Sequence, residues 1–333
     1  MLKTPLKLGA GGNKLLTALI GIAVLLALPF VMQGIGYSYG IYILCIAELY
    51  FIAVSGCDIL TGYCGQVNMG VAGFYAIGSY GSGILHKYCG VPAVLSMIIA
   101  AVLAAVVGII LAYPCSKLQF HFLTLATIAF GEIVNQLVAH SPNMITGNYN
   151  GFYVEKLSIF GYKLNSNIKF YFFGLVCVAL FILIKHRIVH SKIGRALCAV
   201  RDNVKAADGM GINVKTYKVI AMAASALFTG FAGGMYMYLV GFISPDSFTQ
   251  KQSVMFLTML IFGGVTSFGG SVIGVVAIML LTELMRSFTG FQTLLYGALI
   301  LLVVLLIPGG VYGTIQNLRK KAVSHRSGIK KEG

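Results

Sequence analysis

Between residues 14 and 307 the chain is a succession of apolar stretches, and their lengths constrain its fold more than any other feature. A helix needs about 20 apolar residues to cross a hydrocarbon core of about 30 Å. Ten stretches approach that length, near 14–32, 40–60, 67–86, 92–112, 119–139, 168–187, 216–240, 254–268, 271–287 and 291–307. The third, eighth and ninth are the weakest, being Gly-rich, short or barely separated from a neighbour. Only 10% of residues are charged, against about 25% in a soluble domain. The expected architecture is an all-α integral membrane protein. It is a polytopic bundle of about 8–10 transmembrane helices, with broken helices and a possible internal pseudo-repeat, forming one domain over 1–333.

The longest polar interruption is Ser191–Lys215, within a loop spanning 188–215. A polar helix between membrane spans must lie outside the lipid, on one defined side. With the N-terminus inside, eighteen Lys and Arg residues fall on inside segments and six outside. That asymmetry places both termini and Ser191–Lys215 in the cytoplasm. The formal charge of +15 therefore reports topology, and nucleic acid is not an expected partner. The basic tail over 308–333 can touch anionic lipid headgroups or remain a solubilising tail. Leu15–Phe30 has the outline of a signal peptide, but no small-residue cleavage site follows, so this first span is expected to be retained.

Seven cysteines without C-x-x-C spacing, mostly inside apolar runs, read as small hydrophobes. His121 and His140 lack a second ligand at helical spacing, so no metal is expected. No G-x-x-x-x-G-K-[ST] loop is present, so the chain does not bind ATP in that way.

Thr61–Tyr80 reads T-G-Y-C-G-Q-V-N-M-G-V-A-G-F-Y-A-I-G-S-Y. Its glycines weaken a regular helix, and Gln66 and Asn68 bring amides that must face protein or water. A broken helix lining a passage is the favoured reading, with Gly65, Gln66, Asn68 and Gly70 as its residues. A small-residue contact between helices is the plainer alternative. Gly65–Gly70 and Gly269–Gly274 share a G-x-x-x-x-G frame, each beside a broken apolar segment, as a transporter built from repeats would show.

Five segments in order carry a resemblance. Thr61–Gly70 resembles the G-x-x-G-Q-x-S-x-G segment of branched-chain amino acid ABC transporter permeases of the LivM type. Leu123–Val134, with Thr127 and Glu132, resembles that family's A-T-L-A-F-G-E-I segment, and Arg195–Asn213 its cytoplasmic loop. Gly241–Phe248 resembles its S-P-x-S-F turn, and Gly263–Gly274 its G-G-x-G-S-x-x-G-P-x-x-G string. Asn68 stands where the family usually has Ser, Ser271 replaces a usual Pro, and Thr146–Gly151 only approximates a T-G-G-x-N-G loop.

The resemblance implies the permease subunit of an ABC importer in a bacterial cytoplasmic (inner) membrane, not an enzyme. It would move leucine, isoleucine and valine by alternating access, with urea, short amides or other amino acids as alternative substrates. The implied partners are a homologous second permease subunit, two ATP-binding subunits and an extracytoplasmic substrate-binding protein. No cofactor is expected in this chain; ATP binds in the partners. Within the loop, Lys205-Ala-Ala-Asp-Gly-Met-Gly211 resembles the coupling-helix pattern E-A-A-x-x-x-G, with Lys205 in the Glu position. Ala206 and Ala207 would give a slim surface for an ATPase groove, and Gly211 a sharp exit. Asp208 lies within the pattern, and Arg195, Arg201 and Lys205 could pair with acidic ATPase residues.

A proton-coupled secondary transporter is the rival, built on Glu48, Asp58, Glu132 and Glu283. These are scattered over three spans, Glu48 and Asp58 sharing one, with no matching Lys or Arg in a span centre. Glu132 is the best candidate for an interior position.

Overall fold

The computed structural model describes residues 25–34, 36, 38–116, 120–142, 146–155, 157–159, 162–163 and 166–284, with scattered positions between 294 and 314. Most of the expected tenth span and of the basic tail, and the start of the first span, lie outside the described residues.

The helices are α1 (Leu25–Gly34), α2 (Ser38–Asp58), α3 (Val71–Cys89), α4 (Ala93–Cys115), α5 (Phe120–Ala139) and α6 (Asn167–His190). They continue as α7 (Lys192–Asp202), α8 (Val204–Gly209), α9 (Val214–Val240), α10 (Gln250–Gly263) and α11 (Phe268–Leu284). A π-helical turn, Ile59–Tyr63, ends α2. The spans Ser38–Tyr63, Ala93–Cys115, Phe122–Ala139, Asn167–His190 and Val214–Val240 are long and apolar enough to cross a membrane. The all-α polytopic expectation holds.

Small residues let the central helix sit close to its neighbours. α9 packs along α2, α3 and α4. A side chain on Gly78 of α3 would collide with the Gly230 carbonyl of α9, and one on Gly233 with the Tyr75 carbonyl. Between helices in lipid, such backbone approach replaces the hydrophobic drive available in water. Beside this contact, Tyr75 packs against Tyr236, Phe248 and Phe256 with ring centroids 5.4–5.9 Å apart.

Two loops that read separately in the sequence meet at one end of the bundle. Strand β1 (Phe152–Tyr153) pairs antiparallel with β4 (Phe242–Ile243), Phe152 opposite Ile243. A second short hairpin joins β2 (Ser158–Ile159) to β3 (Tyr162–Lys163). Gly151, at φ 67°, lies so close to the Ile243 carbonyl that only glycine fits. The opposite end carries α7 and α8.

Helix boundaries differ from the hydropathy reading where the backbone leaves the helix. The third span begins at Val71 rather than 67, because residues 64–70 are not helical. The eighth and ninth begin earlier than expected, at Gln250 and Phe268, and are 14 and 17 residues long. The two G-x-x-x-x-G frames also differ in form. Gly65–Gly70 is the break itself, whereas Gly269–Gly274 is helical and follows the turn at 264–267.

Candidate functional site

Seven residues, Cys64–Gly70, depart from helical geometry between the π-helical turn and α3. At one end Gly65, φ 73°, packs against the stem of Arg201 from α7. At the other, Gly70 packs against the Thr127 carbonyl and Gly131 of α5. With α7 against one end and α5 against the other, the segment runs from the α7 end into the bundle.

Irregular backbone at membrane depth must find partners in protein or water, and several of these partners are visible. Met69 N donates to Thr127 Oγ1 at 3.1 Å, and Gly70 N to Asn68 Oδ1 at 2.8 Å. Ala72 N donates to Ser253 Oγ at 2.9 Å, and Gln250 Nε2 to the Met69 carbonyl at 2.9 Å. Gln66 N donates to the Leu60 carbonyl at 3.1 Å. Helix α5 accepts the segment because Leu123, Thr127, Gly131 and Val134 form its buried face, at the spacing of one helix stripe.

A cavity of about 880 Å³ lies between this segment and the α7–α8 region. Cys64, Gly65 and Gln66 form one side, and Arg201, Lys205, Asp208, Lys215 and Lys218 the other, with Leu123, Val200 and Ile212 among its apolar lining. Its cations outnumber its one carboxylate, which favours anionic groups.

The predicted pathway residues divide into two sets. Gly65 and Gln66 line the cavity. Asn68, Gly70 and Thr127 are buried deeper, holding the segment to α5. Glu132 departs from its expected interior position. It is exposed on the far side of α5, accepting a 2.8 Å hydrogen bond from Gln136 Nε2. The reason is geometric: α5 gives its small-residue face to the bundle, and Glu132 follows Gly131 by about 100° of helix rotation.

The polar helices are individually capped. Ser191 Oγ accepts from Ile193 N at 3.1 Å, and Asn203 Oδ1 from Ala206 N at 3.0 Å, the usual chemistry of helix starts. Gly211 leaves α8 at φ 82°, a backbone turn that favours glycine. Ala206 is exposed, whereas Ala207 is 2% exposed and packs inward, so the two alanines do not share an outward surface. Arg195, Lys205 and Asp208 are exposed. Arg201 is engaged within the chain: Nη1 donates to the Gly62 carbonyl at 3.0 Å, while Nε and Nη2 donate to Asp202 Oδ1 at 3.0 and 2.9 Å.

The sequence model of the branched-chain amino acid transport system / permease component family matches residues 39–308. The chain belongs to this family. It is 30% identical over 321 residues to the high-affinity branched-chain amino acid transport system permease protein LivM of Escherichia coli K12, covering 89% of this chain and 74% of that one. It is 29% identical to the Salmonella typhimurium LivM over the same shares. A probable permease protein LivH of Methanocaldococcus jannaschii is 26% identical over 279 residues, covering 76% of this chain and 85% of that one. No solved structure matches.

In this permease the reading of the acidic residues also needs correction, because one has a basic partner. Lys185 Nζ of α6 lies 2.8 Å from Asp58 Oδ2 of α2, their side chains 9% and 0% exposed. Lys185 lies near the end of the expected 168–187 span, and in α6, which runs on to His190, its side chain is buried. Asp58 Oδ1 also accepts from Thr266 N at 2.6 Å, and Tyr63 Oη donates to the Thr266 carbonyl at 3.0 Å. Val204, just before the coupling-helix pattern, and Met210, within it, are apolar residues 45% and 83% exposed that sequence reasoning passed over.

Proposed function

We propose that this permease is the membrane-spanning subunit of an ABC importer for leucine, isoleucine and valine, working by alternating access across a bacterial inner membrane. The cavity between the broken segment and α7–α8 carries this reading. It places a polar, non-helical stretch of the bundle directly beside the loop that a driving subunit would grip. Two ATPase subunits bind and hydrolyse ATP and engage α8 from the cytoplasm. The exposed Val204 and Met210 suit an apolar groove, with Lys205 and Arg195 facing acidic side chains.

The exposed face of α5 supports a second, homologous permease subunit. A charge facing lipid at the bilayer centre would cost about 2.5–3.5 kcal/mol on the insertion scale. A protein partner covering Glu132 and Gln136 removes that cost and places them beside a passage between subunits. Amino-acid zwitterions then move past backbone and amide dipoles, which stabilise both charges without full ions. At the far end, the β1–β4 ladder with exposed Tyr149 and Tyr153 offers a surface to the extracytoplasmic binding protein.

The test is uptake of radiolabelled L-leucine into proteoliposomes holding this chain with its second permease, ATPases and binding protein. Competition by isoleucine and valine, with none by urea, supports the substrate. Competition by urea alone overturns it.

A further inference from the structure

We propose that Arg201 is a positioning residue, the joint that carries movement of α7–α8 into the broken segment; this rests on the ATP-driven reading above. Arg201 touches both the turn that precedes the segment and the start of the segment itself. Its Nη1 donates to the Gly62 carbonyl at 3.0 Å within the π-helical turn, and its stem packs on Gly65, where a side chain would collide. Nε and Nη2 are both held by Asp202 Oδ1. That pair is solvent-exposed and weakly held, so the buried-side contact that matters for the joint is the one from Nη1 to Gly62.

The far side of the same turn is anchored. Asp58 packs against Gly62, accepts from Thr266 N at 2.6 Å and pairs with Lys185 at 2.8 Å. The end of α2 is thereby tied to α6 and to the turn between α10 and α11. The α7 side instead borders the 880 Å³ cavity, where space allows displacement. A shift of α7 therefore acts through Arg201 on Gly62 and Gly65, while Asp58 holds the end of α2 in place. The segment that moves is the one carrying Gln66 and Asn68. A π-helical turn is a fitting element for the purpose, being a local departure from regular helix that occurs often at functional sites.

The experiment measures leucine transported per ATP hydrolysed in proteoliposomes of the full assembly. Arg201→Met keeps the stem on Gly65 and removes the donors. It should retain ATP hydrolysis while the ratio falls about tenfold, the scale of an ordinary coupling between sites. Arg201→Lys keeps one donor for Gly62 and should hold the ratio within about threefold of wild type. A purely structural role would lower uptake and hydrolysis together and leave the ratio unchanged. Asp202→Ala should stay close to wild type because the Gly62 bond persists. If Arg201→Met does not assemble, Arg201→Gln is read against Arg201→Lys by the same ratio.

An unchanged ratio in Arg201→Met, or an equal loss in Asp202→Ala, overturns the joint while leaving the importer reading intact. A wild-type assembly without ATP-driven uptake removes that reading, and the joint with it.

Discussion

Asp58 of α2 and Lys185 of α6 form a buried ion pair, Oδ2 to Nζ 2.8 Å, at the same end of the bundle as α7 and α8. The second Asp58 oxygen holds the backbone of Thr266, so three separate stretches of chain meet at one carboxylate.

Removing either partner leaves an uncompensated buried charge, a loss of about 3–5 kcal/mol. Asp58→Asn and Lys185→Met should each lower the unfolding temperature of the purified permease sharply. The double variant should be less destabilised than the sum of the singles, because neither charge is then stranded. Thermal unfolding in detergent checks this; strict additivity would show that the pair is not coupled.

Glycine position within α3 separates contact from open packing. A Cβ at Gly78 would strike the Gly230 carbonyl, whereas one at Gly81 meets Ala100 at an ordinary 3.4 Å. Gly78→Ala should therefore cost about 1–3 kcal/mol or more through overpacking. Gly81→Ala, one turn away, should be neutral or slightly stabilising, since Ala is the better helix former. Unfolding temperatures of the two variants decide it, and equal values would place the α3–α9 contact elsewhere.

The broken segment should tolerate Asn68→Ser and reject Asn68→Leu. Asn68 Oδ1 accepts from Gly70 N at 2.8 Å, and a serine oxygen can make the same local turn. Leucine leaves the buried amide without that acceptor, a loss of about 1–3 kcal/mol. Thr127→Val should act alike by removing the acceptor of Met69 N. Leucine uptake and folded yield provide the readout; normal uptake in Asn68→Leu would contradict the assigned role.

The outward face of α8 is best tested at Met210. Ala207 is buried, so Ala207→Arg would damage packing as well as docking, whereas Met210 is 83% exposed. Met210→Asp should leave the unfolding temperature of the isolated chain unchanged. It should lose about 2 kcal/mol of ATPase binding if Met210 is an interface anchor. Binding of the purified ATPase subunits to permease in nanodiscs measures this. Wild-type affinity in Met210→Asp would remove Met210 from the interface.

Much of the fold is legible because hydropathy fixes which stretches must be buried in lipid, and α4, α5 and α9 begin and end close to where apolar runs do. The break at Gly65–Gly70 is legible for a related reason: glycines and amides in an apolar run conflict with a regular membrane helix. Pairings across sequence are not readable in the same way. Nothing local to Lys185 reveals that its side chain meets Asp58, and nothing in Phe152 or Ile243 reveals their ladder. Glu132 illustrates a further limit. Its charge argues for a protein environment, but Glu132 is exposed and hydrogen-bonded to Gln136 on the same face, so the interior it belongs to is one the proposed second subunit would complete.

In the proposed importer, ATP hydrolysis in partner subunits drives branched-chain amino acid uptake through this bundle. This is tested most directly by L-leucine accumulation in proteoliposomes of the full assembly, comparing internal ATP against an imposed proton gradient. Accumulation that requires ATP and the binding protein, with none on the gradient alone, is the predicted result. Accumulation on a proton gradient without ATP would contradict it.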